Sequence, residues 1–318
     1  MKRWLIALCI VVVLALGCYL AFRQYWYYLP GIMANLRDPI APTQAVTWGQ
    51  GPAEAPTGDR PPNIIVIVVD DLGYNDISLH GGVAGGRVQT PNIDALARQG
   101  VQVEAGYAAN ATCSPSRAAI MTGRYASRFG FEFTSAPVQF SRYLSHGGED
   151  ALRRPIFHED RVADVPPLET LGMPPSEITI AEHLRGVGYR TLHIGKWHLG
   201  ESPELRPEAQ GFDESLGFMA GAAMFLPRND PNVVNAYLPF DPIDRFLWAN
   251  LPYAVEYNGG QRFRPEGYVT DYFTEQAVAA IEANRNRPFF MYLSYNAPHT
   301  PLQAARADYE ALAGIEDH

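Results

Sequence analysis

The segment Asn63-Ile64-Ile65-Val66-Ile67-Val68-Val69 is a continuous β-branched run, and it ends in Asp70-Asp71-Leu72-Gly73. A strand that is apolar on both faces belongs inside a sheet covered by helices. The run therefore predicts a central strand of an α/β domain. A second run of this kind, Pro288-Phe289-Phe290-Met291-Tyr292-Leu293-Ser294-Tyr295, follows an amphipathic helix expected over residues 271–284. Between them, residues 176–185 carry an apolar helical face, Gly186-Val187-Gly188 breaks it, and residues 189–194 read as a strand. Residues 101–107 give a further strand, after a capped helix that opens at Thr90-Pro91 and stops at Gly100. This β-α-β cadence predicts a mostly parallel sheet with helices on both faces.

Open sheets of this class hold their ligands beyond the carboxyl ends of the strands, and the chemically capable residues cluster there. Asp70 and Asp71 are adjacent carboxylates that repel each other, so a cation is the natural partner of both. Lys196 and His198, in Gly195-Lys196-Trp197-His198-Leu199-Gly200, share a side if the strand stays extended. Such a pair suits anion binding and proton transfer. His299 ends a third strand, in Asn296-Ala297-Pro298-His299-Thr300-Pro301. Cys113-Ser114-Pro115-Ser116-Arg117 starts a helix, with Ser114 as the expected cap. Cys113, the only cysteine outside the N-terminal apolar segment, would sit where the helix dipole favours an anion. Arg117, one turn on, has a fork suited to a tetrahedral oxyanion. By contrast His193 lies within a strand and reads as structural, while His146 and His158 read as solvated loop residues.

The formal net charge is −9 and no basic run occurs outside the N-terminus, which argues against nucleic acid as a partner. At the N-terminus, Lys2 and Arg3 precede an uncharged run over residues 4–22, closed by Arg23 and Tyr25-Trp26-Tyr27-Tyr28. That run is about as long as a bilayer-crossing helix, with the aromatics at the far interface. No small-x-small cleavage site follows, so residues 1–28 are expected to be an uncleaved anchor with the remainder outside the cytoplasm. Secretion after signal cleavage is the alternative. Residues 29–62, rich in Pro, Ala, Gly and Thr, read as an extended tether. The domain proper then covers residues 63–318.

Cys113-x-Pro115-Ser116-Arg117, followed by Thr122-Gly123-Arg124, resembles the signature of the type I sulfatases, of the alkaline phosphatase-like class. The segment Gly195 to Gly200 is similar to the second signature at every position, and Asp70-Asp71 and Pro298-His299-x-Pro301 also fit the family pattern. The resemblance implies a sulfuric ester hydrolase acting on a sulfated small molecule or glycan. It implies that a formylglycine-generating enzyme reads Cys113, Pro115 and Arg117 and converts Cys113 to Cα-formylglycine. Asp70, Asp71 and the modified Cys113 would bind one Ca2+ or Mg2+. Lys196 and His198 would contact the formylglycine and the sulfate, His299 the sulfate, and Arg124 would support the nucleophile. Two other readings share the resemblance: a phosphodiester or phosphonate monoester hydrolase, and a non-catalytic homologue that binds sulfated ligands. The family completes its metal site with an Asp-Asn or Asp-His pair after a later strand. No such strand is expected after His299, and Asp317-His318 follows none, so the sequence reads as lacking the C-terminal portion of the family's domain.

Overall fold

The computed structural model describes residues 2–145 and 155–315; His146 and the terminal Asp317-His318 lie outside them. Seven strands are present among the described residues: β1 (Ile64–Asp70), β2 (Arg190–Lys196), β3 (Glu214–Phe218), β4 (Val233–Ala236), β5 (Glu256–Tyr257), β6 (Phe289–Pro298) and β7 (Leu302–Ala305). The helices that matter below are α1 (Lys2–Tyr25), α2 (Leu29–Arg37), α3 (Pro91–Gln99), α4 (Cys113–Thr122), α5 (Val138–Ser145), α6 (Ile180–Gly186), α7 (Asp244–Asn250) and α8 (Val269–Asn284). The main sheet has the order β1-β6-β2-β3-β5, parallel except for β5; β4 and β7 form a separate antiparallel pair.

Strand β6 organises both layers, because its side chains alternate across the sheet. Phe289, Met291 and Leu293 pack with Phe273, Ala277 and Ala280 of α8. Phe290 and Tyr292 face the other way, with Ala118 and Met121 of α4, Ala181 of α6, Trp197 and Phe212. Each buried aromatic or aliphatic side chain contributes about 1.5–3 kcal/mol. The expected architecture, a mostly parallel sheet with helices on both faces, is the one observed. Strands β2 and β6 approach so closely that a Cβ on Gly195 would lie 1.9 Å from the Ser294 carbonyl oxygen. Helix α6 starts at Ile180 rather than at residue 176, because Thr179 and Glu182 form a reciprocal capping box.

Three expectations are corrected. Strand β1 is an edge strand, not a central one: Ile64, Val66 and Val68 pack inward, but Ile65 and Ile67 are 44% and 55% exposed. A continuous apolar run shows that both faces suit burial, not that both are covered. Residues 101–107 form no strand, and Val101 and Tyr107 are almost fully exposed. Strands need a partner ladder for stability, and no described strand offers them one.

The third correction concerns the tether. Residues 29–37 are helical, and the Pro-rich stretch after them is strapped to the domain. Ala41 exchanges backbone hydrogen bonds with Arg262 and Arg264, and Gly51 N–H donates to the Ala283 carbonyl at 2.8 Å. Trp48 is buried against the α8 layer, donating Nε1–H to Gln276 Oε1 at 3.1 Å. Tyr27 is buried too, with the Arg245 guanidinium 4.7 Å above its ring and its carbonyl accepting from Asn250 Nδ2 at 2.8 Å. Part of the aromatic cluster therefore docks on α7. The apolar side chains of helix α1 from Trp4 onward are exposed, and it is the one described helix long and apolar enough to cross a membrane.

Replacing Trp48 by Ala is expected to cost roughly 3–5 kcal/mol and to free the strap, read as a lower urea midpoint with faster proteolysis near residue 48. In β5, burial pushes Glu256 up to about 7 against the pull of Arg206, 2.9 Å away. The folded protein thus keeps a proton that the unfolded chain releases in the usual carboxylate range. That contribution is complete below the unfolded value and is lost as pH rises toward 7. Thermal midpoints should therefore fall between pH 5 and 8, and fall less in Glu256→Gln; parallel curves would contradict this.

Candidate active site

Three strand ends and one helix start meet at the carboxyl edge of the sheet. Asp70 closes β1, buried, and its two oxygens are held by different cations. Lys196 Nζ, at the end of β2, donates to Oδ2 at 2.5 Å, and Arg117 Nη2 of α4 lies 3.0 Å from Oδ1. Burial alone would raise the Asp70 pKa, but Lys196 and Arg117 outweigh it and hold the carboxyl below its ordinary value. Arg117 also donates through Nη1 to the Lys196 carbonyl at 3.1 Å and to the Ser294 hydroxyl, with the Tyr292 hydroxyl at 3.5 Å. Arg117, whose fork suits an oxyanion, here clamps the buried Asp70 carboxylate. Alternation along β6 puts Tyr292 and Ser294 on the Arg117 side. The signal for them was two hydroxyls at period two in an otherwise apolar run.

Cys113 is the first residue of α4. Thr112, not Ser114, is the N-cap, and its side chain makes no cap bond; instead Asn110 Oδ1 accepts from the Thr112 N–H at 3.0 Å and Ser116 Oγ donates to the Asn110 carbonyl at 2.6 Å. An irregular turn, not a fourth strand, leads into the helix. Burial would raise the Cys113 pKa, yet a hydrogen bond from His299 and the nearby Lys196 lower it. His299 is pulled down by its own burial and up by Cys113 and Asp70, and the upward effects prevail. Its Nε2 lies 3.6 Å from Asp71 Oδ2, and its Nδ1 approaches the Thr300 carbonyl at 2.5 Å.

The expected extended geometry after Lys196 does not persist. Trp197 and His198 donate to the Phe218 and Met219 carbonyls, and His198 adopts a left-handed backbone with φ +57°. Asp71 does likewise, with φ +62°. Such conformations cost about 1–3 kcal/mol each at a non-glycine residue and concentrate at functional sites. His198 is buried, and burial with Lys196 and Arg117 nearby drives its pKa well below the ordinary value, so the ring is neutral. It hydrogen-bonds to the Ser135 carbonyl, while Nδ1 has no partner. Gly221 roofs the ring: a Cβ there would lie 2.7 Å from Cε1. His193 is structural as expected, with Nδ1 3.0 Å from Ser215 Oγ and burial pushing it down to about 3. Arg124 points away, onto Glu177.

For a cation, one ligand atom from each of Asp70, Cys113 and His299 lies within 4.8 Å of the others. Asp71, 61% exposed at its side chain, reaches the same place through His299. The oxygen donors suit a hard divalent ion, but two carboxylates fall short of the six to eight ligands that calcium takes, and Asp70 is already clamped twice. Asp70→Asn leaves Lys196 and Arg117 buried without their shared carboxylate. A loss of roughly 3–5 kcal/mol is expected in urea unfolding without added metal; an unchanged midpoint would show that the two cations find other counter-charges.

The Sulfatase family model matches residues 62–316. The N-acetylgalactosamine-6-sulfatase of Sus scrofa is 32% identical over 270 residues, covering 81% of this chain and 43% of that protein. The arylsulfatase of Klebsiella aerogenes is 30% identical over 257 residues, covering 80% of this chain and 46% of its own length. Among solved structures, Ps i-CgsB superposes with a TM-score of 0.60 at 33% identity, over 80% of this chain and 49% of that one. The same TM-score, at 32% identity, holds for Ps i-CgsB in complex with k-i-k-neocarrahexaose. The chain thus spans less than half the length of the curated relatives it matches.

Proposed function

The chain belongs to the sulfatase family, and from that premise we propose that the protein hydrolyses a sulfate ester, with Cys113 matured to formylglycine by a formylglycine-generating enzyme. The observation that carries this reading is the convergence of Cys113, Lys196, His299 and the Asp70 carboxylate, from separate elements, on one partly buried point. Asp70 and Asp71 would hold a divalent cation, Ca2+ or Mg2+, with further donors from outside the described residues. Formylglycine and cation together supply a hydrated aldehyde as nucleophile and Lewis-acid activation.

The chain's own residues account for the rest. Lys196 and Arg117 put two buried cations against one carboxylate, an excess of positive charge suited to a sulfate group. His198, neutral and with Nδ1 unpartnered, would accept a proton. His299, whose pKa is raised, is placed to give one to the departing alcohol oxygen. The substrate class favoured is a sulfated glycan, in line with the k-i-k-neocarrahexaose named in the complex of the neighbour Ps i-CgsB. Helix α1, long and apolar enough to cross a membrane, would serve as an anchor with the domain outside the cytoplasm.

The test is peptide mass spectrometry across residues 99–117 of protein from its native source, paired with assays on aryl sulfate and aryl phosphodiester. Formylglycine at position 113 and faster sulfate release are expected, and His198→Ala should lower kcat by roughly 10²–10⁴-fold. Unmodified cysteine in active protein, or preference for the phosphodiester, would overturn the proposal.

A further inference from the structure

A cavity of about 1470 Å³, lined by none of the candidate active-site residues, opens where α1 meets the domain. One wall is the end of the apolar helix, with Tyr19 and Phe22; the opposite wall comes from α7 and the segment before it. Four arginines line it: Arg23, Arg142, Arg228 and Arg245. Arg142 has a carboxylate partner, Glu159 at 2.8 Å. Arg228 and Arg245 are held differently. Arg228 stacks on Tyr237 and Trp248, 5.4 and 5.5 Å from the ring centroids, and donates Nε–H to the Tyr237 hydroxyl at 3.0 Å. Arg245 stacks on Tyr27 and donates Nε–H to its hydroxyl at 2.5 Å. Aromatic stacking fixes each guanidinium without neutralising it. Neither arginine has a carboxylate at ion-pair distance among the described residues. The acidic residues of the cavity are already engaged. Asp244 accepts from Trp248 Nε1 at 2.9 Å and from the Leu238 N–H at 3.2 Å, and Asp241 accepts from the Ile243 N–H at 3.0 Å.

The cavity is therefore amphipathic along one axis. Exposed apolar side chains of α1 and Phe240 border it, and two planar cations without an ion-pair partner among the described residues stand at the domain side. A free anion would have no use for the apolar wall, and an uncharged lipid none for the arginines. We propose that this cavity binds the phosphate headgroup of an anionic membrane phospholipid, with Arg228 and Arg245 on the phosphate and the acyl chains running along α1. The proposal rests on the reading of α1 as a membrane anchor, because the span would end at headgroup depth beside the aromatic belt.

The full chain in detergent is titrated with phosphatidylglycerol, phosphatidylcholine and inorganic phosphate, and bound adducts are counted by native mass spectrometry. One phosphatidylglycerol per chain is expected, retained against phosphatidylcholine. The double variant Arg228→Gln/Arg245→Gln should weaken it about thirtyfold, and Arg228→Lys/Arg245→Lys should recover part of the loss, which a misfolded variant would not. Equal retention of both lipids, unchanged binding in the double Gln variant, or displacement by inorganic phosphate would each overturn the proposal; the last would mark a free-anion site. Alkaline carbonate extraction from vesicles separates the two layers of the argument. Protein that stays in the bilayer but shows no lipid preference sinks the headgroup site alone, whereas release from the bilayer sinks the anchor and the site with it.

Discussion

The site depends on one buried carboxylate that answers to two buried cations. Asp70 joins β1 to β2 through Lys196 and to α4 through Arg117, so the three elements that present the chemistry are cross-linked below the surface. Inside a protein such charges interact far more strongly than in water, and the count does not balance locally. The surplus positive charge has consequences nearby. It adds to burial in holding the His198 pKa down, and beside the hydrogen bond from His299 it lowers the Cys113 thiol against the opposing effect of burial. An environment already polarised toward an anion needs little rearrangement when one arrives, which is the physical content of electrostatic preorganisation.

That charge arrangement can be held only by a stiff frame. Strand β6 supplies it, with five successive side chains, Phe289 to Leu293, alternating between two packed layers. Gly195 lets β2 come close enough for Lys196 to reach β1 across β6. The strain is left at the rim, in the left-handed backbones of Asp71 and His198. Each strained residue is pinned from outside its own strand, Asp71 by His299 and His198 by the Met219 carbonyl and the Gly221 roof. The packed interior thus over-determines a rim geometry that the local sequence would not choose.

What could be read from the sequence divides along the same line. The strands at β1, β2 and β6 and the polar residues that end them follow from local pattern, which is why Asp70, Lys196 and His299 stand out without coordinates. What fails is whatever depends on a partner distant in the chain. An apolar run cannot say whether a second face is covered, so β1 reads as central when it is an edge. The clamp at Arg117 is not legible because its partners, Asp70, Tyr292 and Ser294, come from two other strands. Residues 39–52 have no periodicity and read as a tether, and the only hint otherwise was Trp48, a large apolar side chain among Pro, Gly and Thr.

The strap constrains how the domain sits relative to α1. A flexible tether would let the site sample many heights and tilts above a bilayer. Here the path from α2 to β1 is fixed at successive points: Gly31 to Asn250, Ala41 to the β5 region, Trp48 to α8, and Gly49 to Glu214, which is itself held by Arg190 of β2. Glu214 also accepts from Tyr257 of β5 at 2.6 Å, so the strap is bonded to β3 and β5 and, through Arg190, to β2. The strap is therefore bonded to the amino ends of β2 and β3, a strand's length from the carboxyl edge where Lys196 lies.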